Sequence, residues 1–311
     1  VIRRPDSRAR RDAATTMGGS FQDLAPAFIS GAVGGMVADL ITHPIGTVKT
    51  RLQVQGASGA ALTQYTSSVQ AARYILRAEG VGALYSGVGV VLFTAAPAQG
   101  LFFLGNDAAR AFFRDELPQV SPPLANFAAG FFAQLCGSLA WVPMDTIKER
   151  LQVEGQLAAG KQERLGSSWG AVRGIFAKEG LRGFYPAYWV HQFTWAPFNG
   201  LYFALYEQGK SVCEARDWPV WPCGVVAGVF AGGATNPMDL VKTRLQVARC
   251  DPGTFKYAGA WDCCRQIVRA EGPLALFDGV GARVLLLTPR LTLAVTIKDA
   301  IMPWCSKLTA P

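Results

Sequence analysis

Three times along the chain a long apolar run, a polar stretch and a second apolar run follow one another. From Leu24 the first run reaches Pro44, interrupted only by Asp39, and the second, Gly87–Gly105, carries no charge. The pair returns as Leu124–Pro143 with Ala187–Leu205, then as Val220–Pro237 with Val280–Ile297. Each run is about the length a helix needs to cross a bilayer. The pattern predicts six spans, two per repeat, with both termini on one side. The polar stretches between them switch to a helical period, as in Val69-x-x-Ala72-x-x-Ile75-Leu76, and read as short helices lying along a membrane surface. Each ends on the same pair: Glu79-Gly80, Glu179-Gly180 and Glu271-Gly272. A small surplus of Lys and Arg puts these segments on the inner side of the membrane.

The apolar runs that open each repeat end on one motif. Pro237-Met238-Asp239-Leu240-Val241-Lys242-Thr243-Arg244-Leu245-Gln246 is its fullest form. Pro143-Met144-Asp145-Thr146-Ile147-Lys148-Glu149-Arg150-Leu151-Gln152 repeats it closely. Pro44-Ile45-Gly46-Thr47-Val48-Lys49-Thr50-Arg51-Leu52-Gln53 repeats it with the acid replaced by Gly46. The copies stand roughly 95–100 residues apart, which makes the chain a triplicated unit. On a helix the acid and the lysine three positions later share a face, and the proline kinks the helix just before them. Matched small residues, Gly31, Gly130 and Gly224, precede the three prolines at one distance and predict close helix approach. The second runs carry their own matched prolines, Pro97, Pro197 and Pro289.

Composition narrows the class. Half of the 311 residues are hydrophobic and only 17% are charged, which leans toward a membrane protein. The net charge of +8 comes without a basic block interleaved with aromatics, so nucleic acid is not an expected partner. Seven cysteines, an odd number with Cys263 and Cys264 adjacent, do not make a secreted disulfide framework. His43 and His191 are isolated, and no P-loop, dinucleotide fold or metalloprotease helix is present, so neither a metal nor a catalytic site is expected. The Arg-rich residues 1–20 read as a basic tail or a targeting segment.

Three tandem P-x-[D/E]-x-x-[K/R] motifs, each followed by a Glu-Gly pair, closely resemble the mitochondrial carrier family over nearly the whole chain. The resemblance implies an all-α membrane protein: six transmembrane helices in a threefold pseudosymmetric bundle, with three short matrix surface helices around a central cavity. It divides the chain into repeats at 21–118, 119–215 and 216–311, and implies a multi-pass protein of the mitochondrial inner membrane with termini toward the intermembrane space. It also implies a matrix gate of charge pairs between neighbouring repeats. By position, Asp145 pairs with Lys242 and Asp239 with Lys49, while Gly46 leaves Lys148 without its acid. Gln53, Gln152 and Gln246 match the family's braces beneath those pairs. A second, cytoplasmic gate maps to Asp107, Arg110, Glu207, Lys210 and Asp299, with pairs Asp107–Lys210 and Asp299–Arg110 and no partner for Glu207.

Solutes in this family are gripped on either side of the second-run prolines. That points to Thr94, Thr194 and Leu286 three residues before them, with Trp195, and to Phe198 and Arg290 one residue after; Asp39 matches a cavity-facing position on the first helix. Charges inside a span are costly and usually functional, so Arg290 and Asp39 lead the set. One cation, one anion and two aromatics suggest a zwitterionic or nucleotide-like solute. The function expected is exchange of such a solute by alternating access, without enzymatic chemistry or a cofactor. The alternative is a degenerate carrier serving as a structural subunit of a larger inner-membrane complex, suggested by the losses at Gly46 and Met302. Membrane lipids are expected partners. Cardiolipin is a family expectation that Tyr85-Ser86-Gly87, Tyr185-Pro186-Ala187 and Phe277-Asp278-Gly279 weaken by lacking the usual basic residue.

Overall fold

The structure, a computed structural model, describes residues 21–55, 65–157, 166–216, 218–219, 221–250 and 256–309. The basic N-terminal segment lies outside these residues. The described chain is helical, and no strand occurs among its described residues. Its elements run α1 (Phe21–Val54), α2 (Ser68–Ala78), α3 (Val81–Leu84), α4 (Val88–Asp115), α5 (Pro122–Val153) and α6 (Ser168–Glu179). They continue as α7 (Tyr188–Ala215), α8 (Trp221–Ala234), α9 (Asn236–Val247), α10 (Ala260–Ala270) and α11 (Val280–Thr309).

The long elements close into a ring. Helix α1 lies along α11, α4 along α5, and α7 along α8, while α9 extends from α8 to touch both α1 and α5. The helices α2, α6 and α10 sit under their own repeats. Ser67 and Ser167 cap two of them, accepting from the amides of Gln70 and Gly170, and Ile75, Ala171, Ile175, Cys263 and Ile267 form their buried faces. After each surface helix the chain turns through a glycine with positive φ, 86° at Gly80, 62° at Gly180 and 92° at Gly272. A side chain would be strained there, which explains the glycine of the Glu-Gly pair.

On length and hydropathy alone, three described stretches qualify as membrane spans: Val81–Asp115, Leu124–Val153 and Pro273–Ser306. The others fall short for a physical reason. Helix α1 buries Ser30, Thr42, His43 and Thr47, and α7 buries His191, Gln192 and Thr194, all turned into the protein. A hydropathy average cannot tell a polar residue facing inward from one facing lipid. Outward, the ring presents a belt of apolar side chains including Phe93, Leu104, Phe127, Phe193, Phe230 and Leu285. An apolar surface of that extent on a closed helical ring suits a hydrocarbon solvent.

Two sequence expectations change. Pro44 and Pro143 sit inside unbroken helices, but at Thr235 the third helix breaks and restarts with Pro237 in its first turn. Asn236 holds the break by donating to the carbonyls of Leu276 and Asp278, at 2.9 and 3.3 Å. The matched glycines Gly31 and Gly130 are not where helices approach, since nothing lies within 4 Å of where a Cβ would stand. Contact occurs instead at Gly34, where a Cβ would meet Ala294 O at 2.6 Å, and at Gly105, where it would meet Cys136 Sγ at 2.7 Å.

Candidate functional site

The proline motifs bring α1, α5 and α9 together at one end of the ring, here the motif end. Lys242 Nζ of α9 lies 2.8 Å from Asp145 Oδ2 of α5, and Lys49 Nζ of α1 lies 2.6 Å from Asp239 Oδ2 of α9. Asp239 and Lys242, neighbours on one helix face, thus serve different repeats. All four side chains are nearly sealed from solvent, with at most 11% exposed. Pairing is what makes such burial tolerable, because an unpaired charge there is expensive.

The defect at Gly46 is absorbed in a way the motif did not foretell. Lys148 is not left unpaired: its Nζ turns back along α5 to Asp145 Oδ1 at 2.6 Å. Asp145 therefore holds two lysines, one on each oxygen. The glutamines differ from the expected braces as well. Gln53 Nε2 donates to Asp239 Oδ2 at 2.9 Å and supports that pair. Gln152 instead binds Thr50 and Thr47, and Gln246 reaches Thr146 at 3.5 Å. With no acid at Gly46, there is no pair for Gln152 to brace.

Three further groups contribute here whose contacts sequence reasoning had not assigned. Arg283 of α11 is 2% exposed, donates to Gly232 O at 3.1 Å and stands 3.5 Å from Asp239 Oδ2. Glu149, also 2% exposed, places Oε1 3.5 Å from Lys242 Nζ. The third is the arginine of each motif. Arg51, Arg150 and Arg244 are buried and grip Glu79, Glu179 and Glu271 with two nitrogens each. Their Nε atoms donate to the backbone carbonyls of Gln152, Gln246 and Gln53, at 2.8, 3.0 and 2.9 Å. The signal was in the sequence, since every motif arginine comes with a downstream Glu-Gly. Bidentate arginine–carboxylate geometry is among the stronger polar contacts available.

Midway along the ring, Arg290 of α11 and Asp39 of α1 form a bidentate pair, Nε to Oδ1 and a guanidinium NH2 to Oδ2, the latter at 3.2 Å. Their side chains remain 36% and 18% exposed. The two residues that sequence reasoning ranked highest for a solute thus neutralise each other. Thr94 and Leu286 stay partly open, whereas Thr194 is fully buried and donates to Val190 O. Phe198, expected among the solute contacts, is 3% exposed and packs against Ala231 and Leu287, with Trp195 against it edge-on. It works as packing between helices.

At the far end of the ring, two described contacts of the expected gate residues stay within one helix. Lys210 reaches Glu214 at 3.9 Å, Arg110 Nε donates to Asn106 at 3.3 Å, and Asp107 is exposed and forms no ion pair among the described residues. The expected Asp107–Lys210 pair is therefore not made here. The side chains of Glu207 and Asp299 lie outside the described part of the structure.

A closed ring of helices with inter-repeat charge pairs at one end and a half-open ion pair midway is the architecture of a membrane transporter. The sequence family described as Mitochondrial carrier protein matches residues 22–117, 119–217 and 218–307, and the chain belongs to that family. Its members are transporters and not enzymes, and membership makes this a multi-pass protein of the mitochondrial inner membrane. Mitochondrial substrate carrier family protein E of Dictyostelium discoideum is 36% identical over 281 residues, 86% of this chain and 91% of that one. The mitochondrial electrogenic aspartate/glutamate antiporter of Rattus norvegicus is 32% identical over 304 residues, 96% of this chain. The chain spans less than half of that antiporter, 44% of its length. S-adenosylmethionine carrier 1 of Arabidopsis thaliana, chloroplastic and mitochondrial, is 33% identical over 275 residues, 85% of this chain and 74% of that one.

Proposed function

We propose that this carrier exchanges a small zwitterionic solute by alternating access, and that the solute enters by opening the Asp39–Arg290 pair. That pair carries the reading. In the unloaded state each charge is satisfied by the other, so a free anion or cation would leave one of them unpaired. A solute bearing both an ammonium and a carboxylate replaces the pair without stranding either charge. Amino-acid-type molecules have this chemistry. Aspartate and glutamate in the rat relative's name, and S-adenosylmethionine in the Arabidopsis one's, belong to the same class. S-adenosylmethionine adds a nucleoside that a larger space would have to accept.

The motif end serves as the matrix gate in this reading, and the far end, with the termini, faces the intermembrane space. A transporter needs two conformations close enough in free energy for binding to tip the balance. The pairs Lys49–Asp239 and Lys242–Asp145 hold one of them. Asp107, Arg110, Glu207, Lys210 and Asp299 would hold the other.

The test is uptake into liposomes containing the purified protein and loaded with amino acids, S-adenosylmethionine, nucleotides or dicarboxylates. Uptake of an amino-acid-type solute, abolished in both Arg290→Ala and Asp39→Asn, is the expected result. Uptake confined to dicarboxylates or nucleotides sinks the zwitterion assignment. If no solute moves or raises thermal stability, and the protein co-purifies stoichiometrically with a complex, it is a structural subunit.

A further inference from the structure

Right after the motif lysine the three repeats carry Thr50, Glu149 and Thr243. In two of them the hydroxyl donates to a glutamine side-chain oxygen of the next repeat. Thr50 Oγ1 reaches Gln152 Oε1 at 2.8 Å, and Thr243 Oγ1 reaches Gln53 Oε1 at 3.0 Å. The pseudosymmetry sets Glu149 against Gln246, where an ionised carboxylate and an amide oxygen can only accept. The conflict is visible: Glu149 Oε2 and Gln246 Oε1 are both buried without a hydrogen-bond partner. Turning the Gln246 amide over would set its oxygen against Thr146 Oγ1, whose hydroxyl already donates to the carbonyls of Val142 and Phe184 at 2.9 and 3.1 Å. A stranded buried acceptor is costly, and one proton satisfies both.

We propose that Glu149 is a proton-binding site of the motif-end gate, its carboxylic O–H donating to Gln246 Oε1 in the place that threonine takes in the sister repeats. This rests on the reading of that end as a gate that opens. Lys242 does not depend on a charge at Glu149, since Asp145 lies closer to it, at 2.8 against 3.5 Å. The groups around Glu149 are Asp145 and Lys148 on its own helix, Lys242 on α9 and Lys49 on α1, with His191 of α7 3.6 Å from Asp145. When the gate opens, Gln246 withdraws and water reaches the carboxyl. The proton then leaves to that water, and the carboxylate is held by the lysines. Closure takes one proton back up, with no other bond made or broken. Solute movement through this carrier is thereby tied to pH on the motif side.

Infrared difference spectroscopy of the purified full chain tests this without any transport assay. The wild type shows the carbonyl stretch of a protonated carboxylic acid, shifted in deuterium oxide and absent in Glu149→Gln. Glu149→Gln, whose amide N–H replaces the O–H, unfolds at the wild-type temperature. It also loses the fall in unfolding temperature that rising pH causes in the wild type. Glu149→Thr, which copies the sister repeats, likewise loses that pH response and provides a second variant. A folded wild type without the band, together with a destabilised Glu149→Gln, overturns the proposal and leaves Glu149 as an ionised partner of Lys242. A band present in a protein that moves no solute would refute the transport reading and leave the proton site standing.

Discussion

The two ends of the ring are built from similar residue types and hold together differently. At the motif end, lysine–aspartate pairs and arginine forks cross between repeats and are buried. At the far end the ion pair described for Lys210 stays within one helix and in solvent, 39% and 60% exposed. Charge–charge attraction is worth little in water and much more where water is scarce. The energetic grip that these contacts supply is therefore at the motif end.

The sharpest way to break this contrast is Arg244→Ala. It removes a fully buried guanidinium and strands Glu271 and the carbonyls of Gln53 and Gln55. Breaking a buried pair costs about 3–5 kcal/mol, so thermal unfolding in detergent should show a large loss or no folded protein. A loss comparable to that of an exposed residue would show that the motif end is not the tighter one. Next comes Asp239→Asn, which leaves Lys49 and Arg283 without their common anion. It is expected to slow exchange more than Lys148→Ala, because Lys148 contributes only a partly exposed pair within its own helix. Equal rates for the two variants would mean the gate does not depend on which pairs cross between repeats.

Gly46→Asp sharpens the contrast from the other direction. A Cβ at Gly46 meets nothing closer than 3.9 Å, so the side chain can be housed, and Lys148 regains an acid across the repeat boundary. An added pair of this kind is worth about 1 kcal/mol, read as a modest rise in unfolding temperature and a slower exchange rate. The smallest effect belongs to the far end. Asp107→Asn removes an exposed charge that forms no described ion pair, so the unfolding temperature should stay unchanged while any effect appears in exchange rate.

Much of this was legible in the sequence because it recurs. The three motifs carried the family resemblance, and the resemblance implied the inter-repeat pairs Asp145–Lys242 and Asp239–Lys49. What escaped were the deviations within single repeats. Nothing in the spacing says that Lys148 folds back onto Asp145, a choice made by the empty space at Gly46. The glycine expectation failed because a matched position in three repeats says nothing about what faces it across the membrane. The place of Phe198 was not legible, because a residue one place after a proline can turn toward the axis or toward the neighbouring helix. Its Ala231 and Leu287 neighbours decide that, from distant parts of the chain.

The arginine forks have one more consequence. Arg51 of the first repeat reaches the second, Arg150 of the second reaches the third, and Arg244 of the third reaches back to the first. Each repeat is both giver and receiver, so the bonds run head to tail and close after three links. Such a circuit has a fixed size. A fragment of two repeats would keep one link and end in a buried guanidinium with no carbonyl and a carbonyl with no guanidinium. A separately made third repeat supplies both at once, which gives split versions of this chain a built-in means of reassembly.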